Sequence, residues 1–386
     1  MVTAMAAALI AANSPFAASY FLVHHTPVHF GLGKLAVNAP LVSWINEGLM
    51  VLFFLLMGLE IKRQFLEGHL SSLKCAALPA FAAFGGMAVP AAIYVALTWD
   101  SPDLIRGWAI PTATDIVLAI GVLSLLGERV PTSLKVFLTA LAIFDDIGAV
   151  LIIGLFYGDG VSLLEIGFLA LGIGGLIALN VFGISRFPPY VVAGLILWAA
   201  MLNAGLEAAL AGVVIGLAIP MRASDGGRGP PLRQAERQLH PWVTLLVVPA
   251  LAFFNSGISL AAVTPGALAT PGSLGIVLGL FVGKPVGILA SSWAAVRLGL
   301  AELPTGSGWA RLYGVSMLAG IGFTMSLFIA SLAFSAPAQA SIAKLATLVG
   351  SMASAVVGLV VVTATTRSPR RLSLARKVSA PPSAAT

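Results

Sequence analysis

Four ionisable side chains fall inside stretches apolar enough to sit in lipid: Asp115, the adjacent pair Asp145-Asp146, and Lys284. A carboxylate at the centre of a bilayer costs about 2.5–3.5 kcal/mol on insertion scales, so acids retained there have a task. Asp145 and Asp146 lie in the middle of the apolar run from Val136 to Tyr157. Successive residues of a helix point about 100° apart, so the two carboxylates cannot both face one cavity squarely. One can face a ligand and the other a partner. Lys284 is the only basic group at that depth, and an ion pair with one of the aspartates would offset the burial of both charges. The other aspartate, with Asp115 and the hydroxyl of Thr114, supplies hard oxygen ligands suited to a small cation such as Na⁺. Protons and cations are alternative ways of neutralising a buried carboxylate. Competition between them at one site suffices for exchange.

The elements that must position these groups are membrane helices. With 59% hydrophobic and 9% charged residues, a chain of 386 residues has too few polar side chains to cover a soluble globule. One cysteine, Cys75, excludes a disulfide framework or a thiolate cluster, and five scattered histidines make no zinc motif. No resident cofactor is expected.

A spanning helix needs about 20 apolar residues. Windows of that size lie near 41–61, 76–98, 105–126, 133–157, 164–183, 187–202, 205–220, 241–260, 273–295, 311–334 and 342–364. The start, 1–13, is too short to span and lacks a signal-peptide leader, so it reads as a clipped first helix. Counted as a span, it gives twelve with both ends on the side that collects Lys and Arg, which is the cytoplasm by the positive-inside rule. Lys62, Arg63, Arg129, Arg186, Arg233, Arg237 and Arg311 fall on that side, leaving Lys34 and Arg106 in loops on the other. The net charge of +6 then follows from topology and lipid headgroups, with no nucleic acid needed.

The longest connection, Met221 to His240, is too short to hide a catalytic domain, and its end, Leu232 to Leu239, can extend the next helix into the cytoplasm. Residues 27–37 alternate Val28, Phe30, Leu32, Leu35 and Val37 around Gly33-Lys34, the pattern of a short extramembrane β-hairpin. One integral membrane domain is expected over 1–366, followed by a disordered basic tail over 367–386.

Two spans carry helix-breaking residues at the depth of the acids. Pro111 precedes Thr112-Ala113-Thr114-Asp115, and Gly320-Ile321-Gly322 stands at the centre of 311–334. These are the fourth and eleventh spans, seven apart, so they run in opposite directions. Interrupted helices in matching positions of two antiparallel halves point to an inverted-repeat secondary transporter with a midplane site. A lone proline kink or glycine contact is ordinary in membrane helices. Two breaks sharing one depth with three acids and a lysine are not.

Rival readings fit less well. An intramembrane aspartyl protease needs carboxylates from separate helices facing one water, which adjacent Asp145 and Asp146 cannot provide. A cation channel needs an acidic or carbonyl ring along a pore, and no span repeats an acidic face. A sodium-coupled symporter of an organic solute is the nearest alternative.

Six segments, GLEIKRQ (Gly58–Gln64), GWAIPTATD (Gly107–Asp115), ALAIFDDIGAV (Ala140–Val150), LHPW (Leu239–Trp242), VGKPVGI (Val282–Ile288) and GIGFTMSLFIASLAF (Gly320–Phe334), occur in the order and wording of the NhaA-type sodium/proton antiporters, which the chain resembles over nearly its whole length. The resemblance implies a bacterial inner-membrane exchanger that extrudes Na⁺ or Li⁺ for entering protons, electrogenically and without being an enzyme. It implies that Asp146 is the central cation and proton carboxylate, assisted by Asp115 and Thr114, with Asp145 and Lys284 a proton-linked pair. It also implies that the two interrupted spans cross as extended chains, their half-helix ends balanced by Asp115 and Lys284.

Activation at alkaline pH through a cytoplasmic cluster is a further implication, mapping onto Glu60, Lys62, Arg63, Glu236 and His240. Two departures bear on its threshold: Gln64 replaces an acid that often extends the cluster, and Glu207 stands where a histidine is familiar. The hairpin at 27–37 resembles the family's homodimer contact, although Gly31 and Gly33 weaken its strand propensity. The clipped start also departs from the family, whose first helix is a full span.

Overall fold

The protein is described by a computed structural model over residues 1–30, 37–157, 163–184, 186–204, 206–221, 230–259 and 266–366. It is a helical bundle. In chain order the helices are α1 (Val2–Ala12), α2 (Ala17–His25), α3 (Leu41–Glu67), α4 (Leu73–Thr98), α5 (Pro102–Ile105), α6 (Ile116–Ser124), α7 (Thr132–Phe156), α8 (Leu163–Val181), α9 (Phe187–Asn203), α10 (Leu210–Ala218), α11 (Pro231–Trp242), α12 (Val248–Ser256), α13 (Pro271–Leu278), α14 (Lys284–Arg297), α15 (Trp309–Ala319), α16 (Phe323–Ala333) and α17 (Pro337–Thr365). Among the described residues, six helices are long and apolar enough to cross a membrane, or up to nine if each of three bent pairs counts as one span. The chain is thus a multi-pass membrane protein.

Each apolar window contains helix among the described residues, although 205–220 holds only the nine-residue α10. The expected extension of Leu232–Leu239 is also present, since α11 continues through Val243–Val247 into α12 as one span, Pro231–Ser256. The element that periodicity missed is α2, which leaves α1 at a bend of 106°. It is nine residues long, below what a span requires. It is tied down by side chains: Tyr20 donates to Phe253 O at 2.7 Å, and the His24 ring nitrogens lie 2.8 Å from Tyr20 O and 2.9 Å from Phe254 O.

The hairpin reaches beyond its expected bounds. Strand β1 (Pro27–Phe30) pairs antiparallel with β2 (Val37–Pro40), which carries it to Pro40. Pro27 and Pro40 face each other at its open end, where neither has to donate to the ladder. Gly31, Gly33, Lys34 and the tail 367–386 lie outside the described residues.

Prolines and glycines shape the bundle. Two π-helical segments, Val243–Val247 and Gly279–Gly283, lie just before Pro249 and Pro285, whose rings obstruct the carbonyl four residues back and remove its donor. The second segment delivers Lys284 as the first residue of α14. Helix α4 packs against α14, α3 against α10 and α15 against α17.

Candidate functional site

The site is assembled where two helices are broken. The segment Arg106–Thr112 winds as a tight 3-10 helix around Pro111, then Ala113 is extended and α6 starts after Asp115, giving a bend of 42° between the halves. The second break separates α15 from α16 at Gly320-Ile321-Gly322 with a bend of 45°. A side chain at Gly320 would strike the Leu280 carbonyl, and one at Gly322 would meet Ala113 O at 3.1 Å. Only glycines allow this approach. The two breaks are stitched together: Asp115 N donates to Ile321 O at 2.6 Å, and Ser326 Oγ donates to Ile110 O at 2.6 Å.

Breaking a helix exposes peptide groups that lipid cannot hydrogen-bond, and buried side chains satisfy them here. Asp115 serves two helix N-termini at once. Its Oδ1 accepts from Leu118 N at 3.0 Å at the start of α6, and its Oδ2 accepts from Thr324 N at 3.1 Å and Thr324 Oγ1 at 2.6 Å at the start of α16. A negative group is favoured at such ends by the helix dipole. At the opposite ends, Lys284 Nζ donates to Thr112 O, where the 3-10 segment stops. Gly322 N donates to Ser351 Oγ at 3.2 Å.

Helix α7 brings in the paired acids, and their surroundings differ. Asp145 Oδ2 is 2.9 Å from Lys284 Nζ, with both side chains wholly buried, and accepts from Thr114 Oγ1 at 2.6 Å. Thr114 Oγ1 is also 2.8 Å from Ala319 O, so its single proton serves one acceptor at a time. Among the described residues, Asp145 Oδ1 is buried without a hydrogen-bond partner. Asp146 makes no hydrogen bond or ion pair among the described residues, and at 5% exposure against 1% for Asp145 it is the more accessible carboxylate. Asp145, Glu60, Asp115 and Lys284 all lie within its electrostatic reach.

The expected Asp146, Asp145, Asp115, Thr114 and Lys284 are therefore brought into one neighbourhood, with Pro111, Gly320 and Gly322 at the breaks. Thr114 stands with Asp145 rather than Asp146, and both Asp115 oxygens are engaged at helix ends. Among the described residues, no three His, Cys, Asp or Glu side chains form a group able to hold a metal ion. Sequence reasoning overlooked Thr324, Ser326 and Ser351. Their signal was available: each is a hydroxyl in an apolar helix, at or facing a break.

The second expected cluster is brought together only in part. Arg63 Nε is 2.9 Å from Glu236 Oε2, and its Nη2 is 4.0 Å from Glu60. His240 lies within electrostatic reach of Glu60. Lys62 points elsewhere, donating at 2.7 Å to both Leu217 O and Ile219 O at the end of α10. Glu207 is separate too: it precedes α10, its neighbour is Glu47, and Ala209 N lies 3.4 Å from its Oε1. Glu47 and Glu60 are about 20 Å apart along α3 at 1.5 Å per residue, so Glu207 belongs to the opposite end of the bundle.

Two interrupted helices bonded to each other around buried acids, in a multi-pass bundle, are the arrangement of a secondary transporter. The sequence profile of the family described as Na⁺/H⁺ antiporter 1 matches residues 1–362, and the chain belongs to that family. It is 51% identical over 377 residues to the Na⁺/H⁺ antiporter NhaA of Rhodospirillum rubrum, covering 96% of this chain and 94% of that one. The Na⁺/H⁺ antiporter NhaA 2 of Pseudomonas syringae pv. syringae is 53% identical over 363 residues, 94% of this chain and 90% of its own. The Na⁺/H⁺ antiporter NhaA of a Shewanella species is 49% identical over 360 residues, 93% of this chain and 92% of its own.

Proposed function

We propose that this chain is an electrogenic antiporter that extrudes Na⁺ or Li⁺ across a bacterial inner membrane in exchange for entering protons. The observation that carries the reading is Asp146: a buried carboxylate with no hydrogen-bond or ion-pair partner among the described residues, beside two broken helices whose ends are already satisfied by Asp115, Thr324 and Lys284. Such a group is open to a proton or a cation, and Asp115 and Thr114 are assigned to assist it. The Asp145–Lys284 pair supplies a second place where a proton can be exchanged for a contact. More protons than cations then cross per cycle, and the membrane potential drives transport at about 2.3 kcal/mol per charge per 100 mV.

Alternating access of Asp146 to the two faces is part of this reading. Support comes from the pairing of halves: the helices that precede the two breaks, α4 and α13–α14, pack against each other, as an inverted repeat of antiparallel halves requires. Twelve spans with both termini in the cytoplasm follow from the apolar windows and the distribution of Lys and Arg, with residues 1–366 as one transport domain and 367–386 as a basic tail. Activation at alkaline pH is assigned to Glu60, Arg63, Glu236 and His240. A homodimer contact is assigned to the hairpin region around residues 27–37, with bilayer lipid as solvent and no cofactor beyond the transported ions.

The test is dequenching of a pH-sensitive dye in energised everted vesicles on addition of Na⁺, Li⁺ or K⁺ between pH 6.5 and 8.5. Dequenching by Na⁺ and Li⁺ that grows with pH is expected. Silence toward both ions at every pH refutes the reading, and a response that needs an organic solute replaces it with symport.

A further inference from the structure

At the end of the bundle that carries Arg63, helices α3 and α11 line an open pocket of about 390 Å³ bordered by Arg63, Glu67, Arg233, Glu236, Arg237 and His240. Glu60 stands beside it, 4.0 Å from Arg63 Nη2. Arg63 is paired with Glu236, and Arg233 is paired with Glu67 through both Nε and Nη2. These pairs use both acids of the lining. Arg237 makes no hydrogen bond or ion pair among the described residues, and His240 stands one turn beyond it with a second set of ring nitrogens.

Among the described residues, Arg237 is thus the one guanidinium of the lining without an acid partner, and it is exposed. An anion in the pocket would give it one. Guanidinium groups meet phosphate oxygens through paired N–H donors, and the paired arginines keep further N–H groups for the same ligand. The depth of the cavity also matters. Trp242, on the turn after His240, is 66% exposed, and Leu245 and Leu246 beyond it are exposed as well. Exposed tryptophan marks the interface between headgroups and hydrocarbon. The basic cavity therefore lies at headgroup level, directly above apolar side chains on the same helix.

We propose that this cavity binds a phosphate group, held by Arg237 and His240 with help from Arg63 and Arg233. The position beside Trp242, Leu245 and Leu246 favours the phosphodiester of an anionic phospholipid, whose acyl chains would lie along the exposed side of α12. Inorganic phosphate shares the chemistry and lacks the chains. The site does not depend on the exchange reaction and can be tested without transport.

The experiment uses the purified full chain in detergent. Retention of phosphatidylglycerol and phosphatidylcholine is measured by native mass spectrometry, and melting is followed in sodium phosphate against sodium chloride at equal ionic strength. Three variants are compared with wild type: Arg237→Gln, Arg237→Lys, and Arg297→Gln as a control on α14, where the guanidinium stacks 5.4 Å from Trp293. Wild type and Arg297→Gln should hold phosphatidylglycerol about tenfold more tightly than phosphatidylcholine, a ratio equivalent to one good charged contact. Arg237→Gln should lose that preference and Arg237→Lys keep part of it. Protection by phosphate that depends on Arg237, without lipid discrimination, assigns the site to the free anion. Equal lipid and phosphate behaviour in wild type and Arg237→Gln, or equal losses in Arg237→Gln and Arg297→Gln, overturns the proposal.

Discussion

Lys284 Nζ stands 2.9 Å from Asp145 Oδ2 with neither side chain exposed, so each is the other's ion-pair partner inside the bundle. Truncating one partner strands the other as a buried, unpaired charge, which costs about 3–5 kcal/mol. Lys284→Ala should therefore lower the melting temperature sharply as well as impair exchange. The double variant Lys284→Met/Asp145→Leu should recover much of the stability, because Thr114 Oγ1 can still donate to Ala319 O. Thermal unfolding of the three purified proteins checks this, and an unaltered Lys284→Ala melt counts against the pair as a structural element.

Asp146 is expected to separate transport from stability in the opposite sense. Among the described residues it accepts no hydrogen bond, and it shares its surroundings with Asp145, Glu60 and Asp115, so replacing it by Asn removes a repelled charge at constant shape. Asp146→Asn should melt at or above the wild-type temperature while Na⁺-dependent dequenching in everted vesicles disappears. Full exchange by the variant would remove Asp146 from the carrier role.

Much of this site could be read from residue type and depth alone. Burying Asp145, Asp146, Asp115 and Lys284 in lipid is so unfavourable that sequence position sufficed to group them, and Pro111 and the Gly320/Gly322 pair announced the breaks by backbone chemistry. What could not be read was which polar atom meets which. Thr114 was expected beside the cation carboxylate and instead donates to Asp145 Oδ2, a choice among three nearby aspartates that residue type and depth do not decide. The family resemblance groups Lys62 with Arg63, yet neighbours on a helix diverge by about 100° and Lys62 finds the α10 carbonyls instead. Short α2 escaped notice because its stability comes from Tyr20 and His24 reaching α12, a tertiary effect that leaves no local period.

Thr324 provides a test of how the helix ends are held. Its hydroxyl donates to Asp115 Oδ2 at 2.6 Å alongside its own backbone N–H. A hydrogen bond to a charged group contributes about 1.5–3 kcal/mol. Thr324→Val keeps the shape and loses that bond, so its melt should fall by a corresponding amount, whereas Thr324→Ser should stay near wild type. Equal melting of the Val and Ser variants would show that the hydroxyl is not holding Asp115.

The contact between α3 and α10 predicts a contrast among glycines. A Cβ at Gly216 would lie 2.7 Å from Leu55 O and 2.8 Å from Leu59 N, and one at Gly58 would lie 2.6 Å from Val213 O. These obstacles are backbone atoms, which cannot rotate aside, so Gly58→Ala or Gly216→Ala must push the helices apart. Overpacking of this kind costs about 1–3 kcal/mol. Gly121 in α6 has nothing within 4 Å of the added atom, so Gly121→Ala should gain the helix propensity of alanine, up to about 1 kcal/mol. Because α3 also carries Glu60 and Arg63, the first two variants should shift the pH profile of exchange while Gly121→Ala leaves it in place. Melting curves and dye dequenching on the three proteins decide the matter; if all three glycines tolerate alanine alike, close backbone packing does not hold α3 against α10.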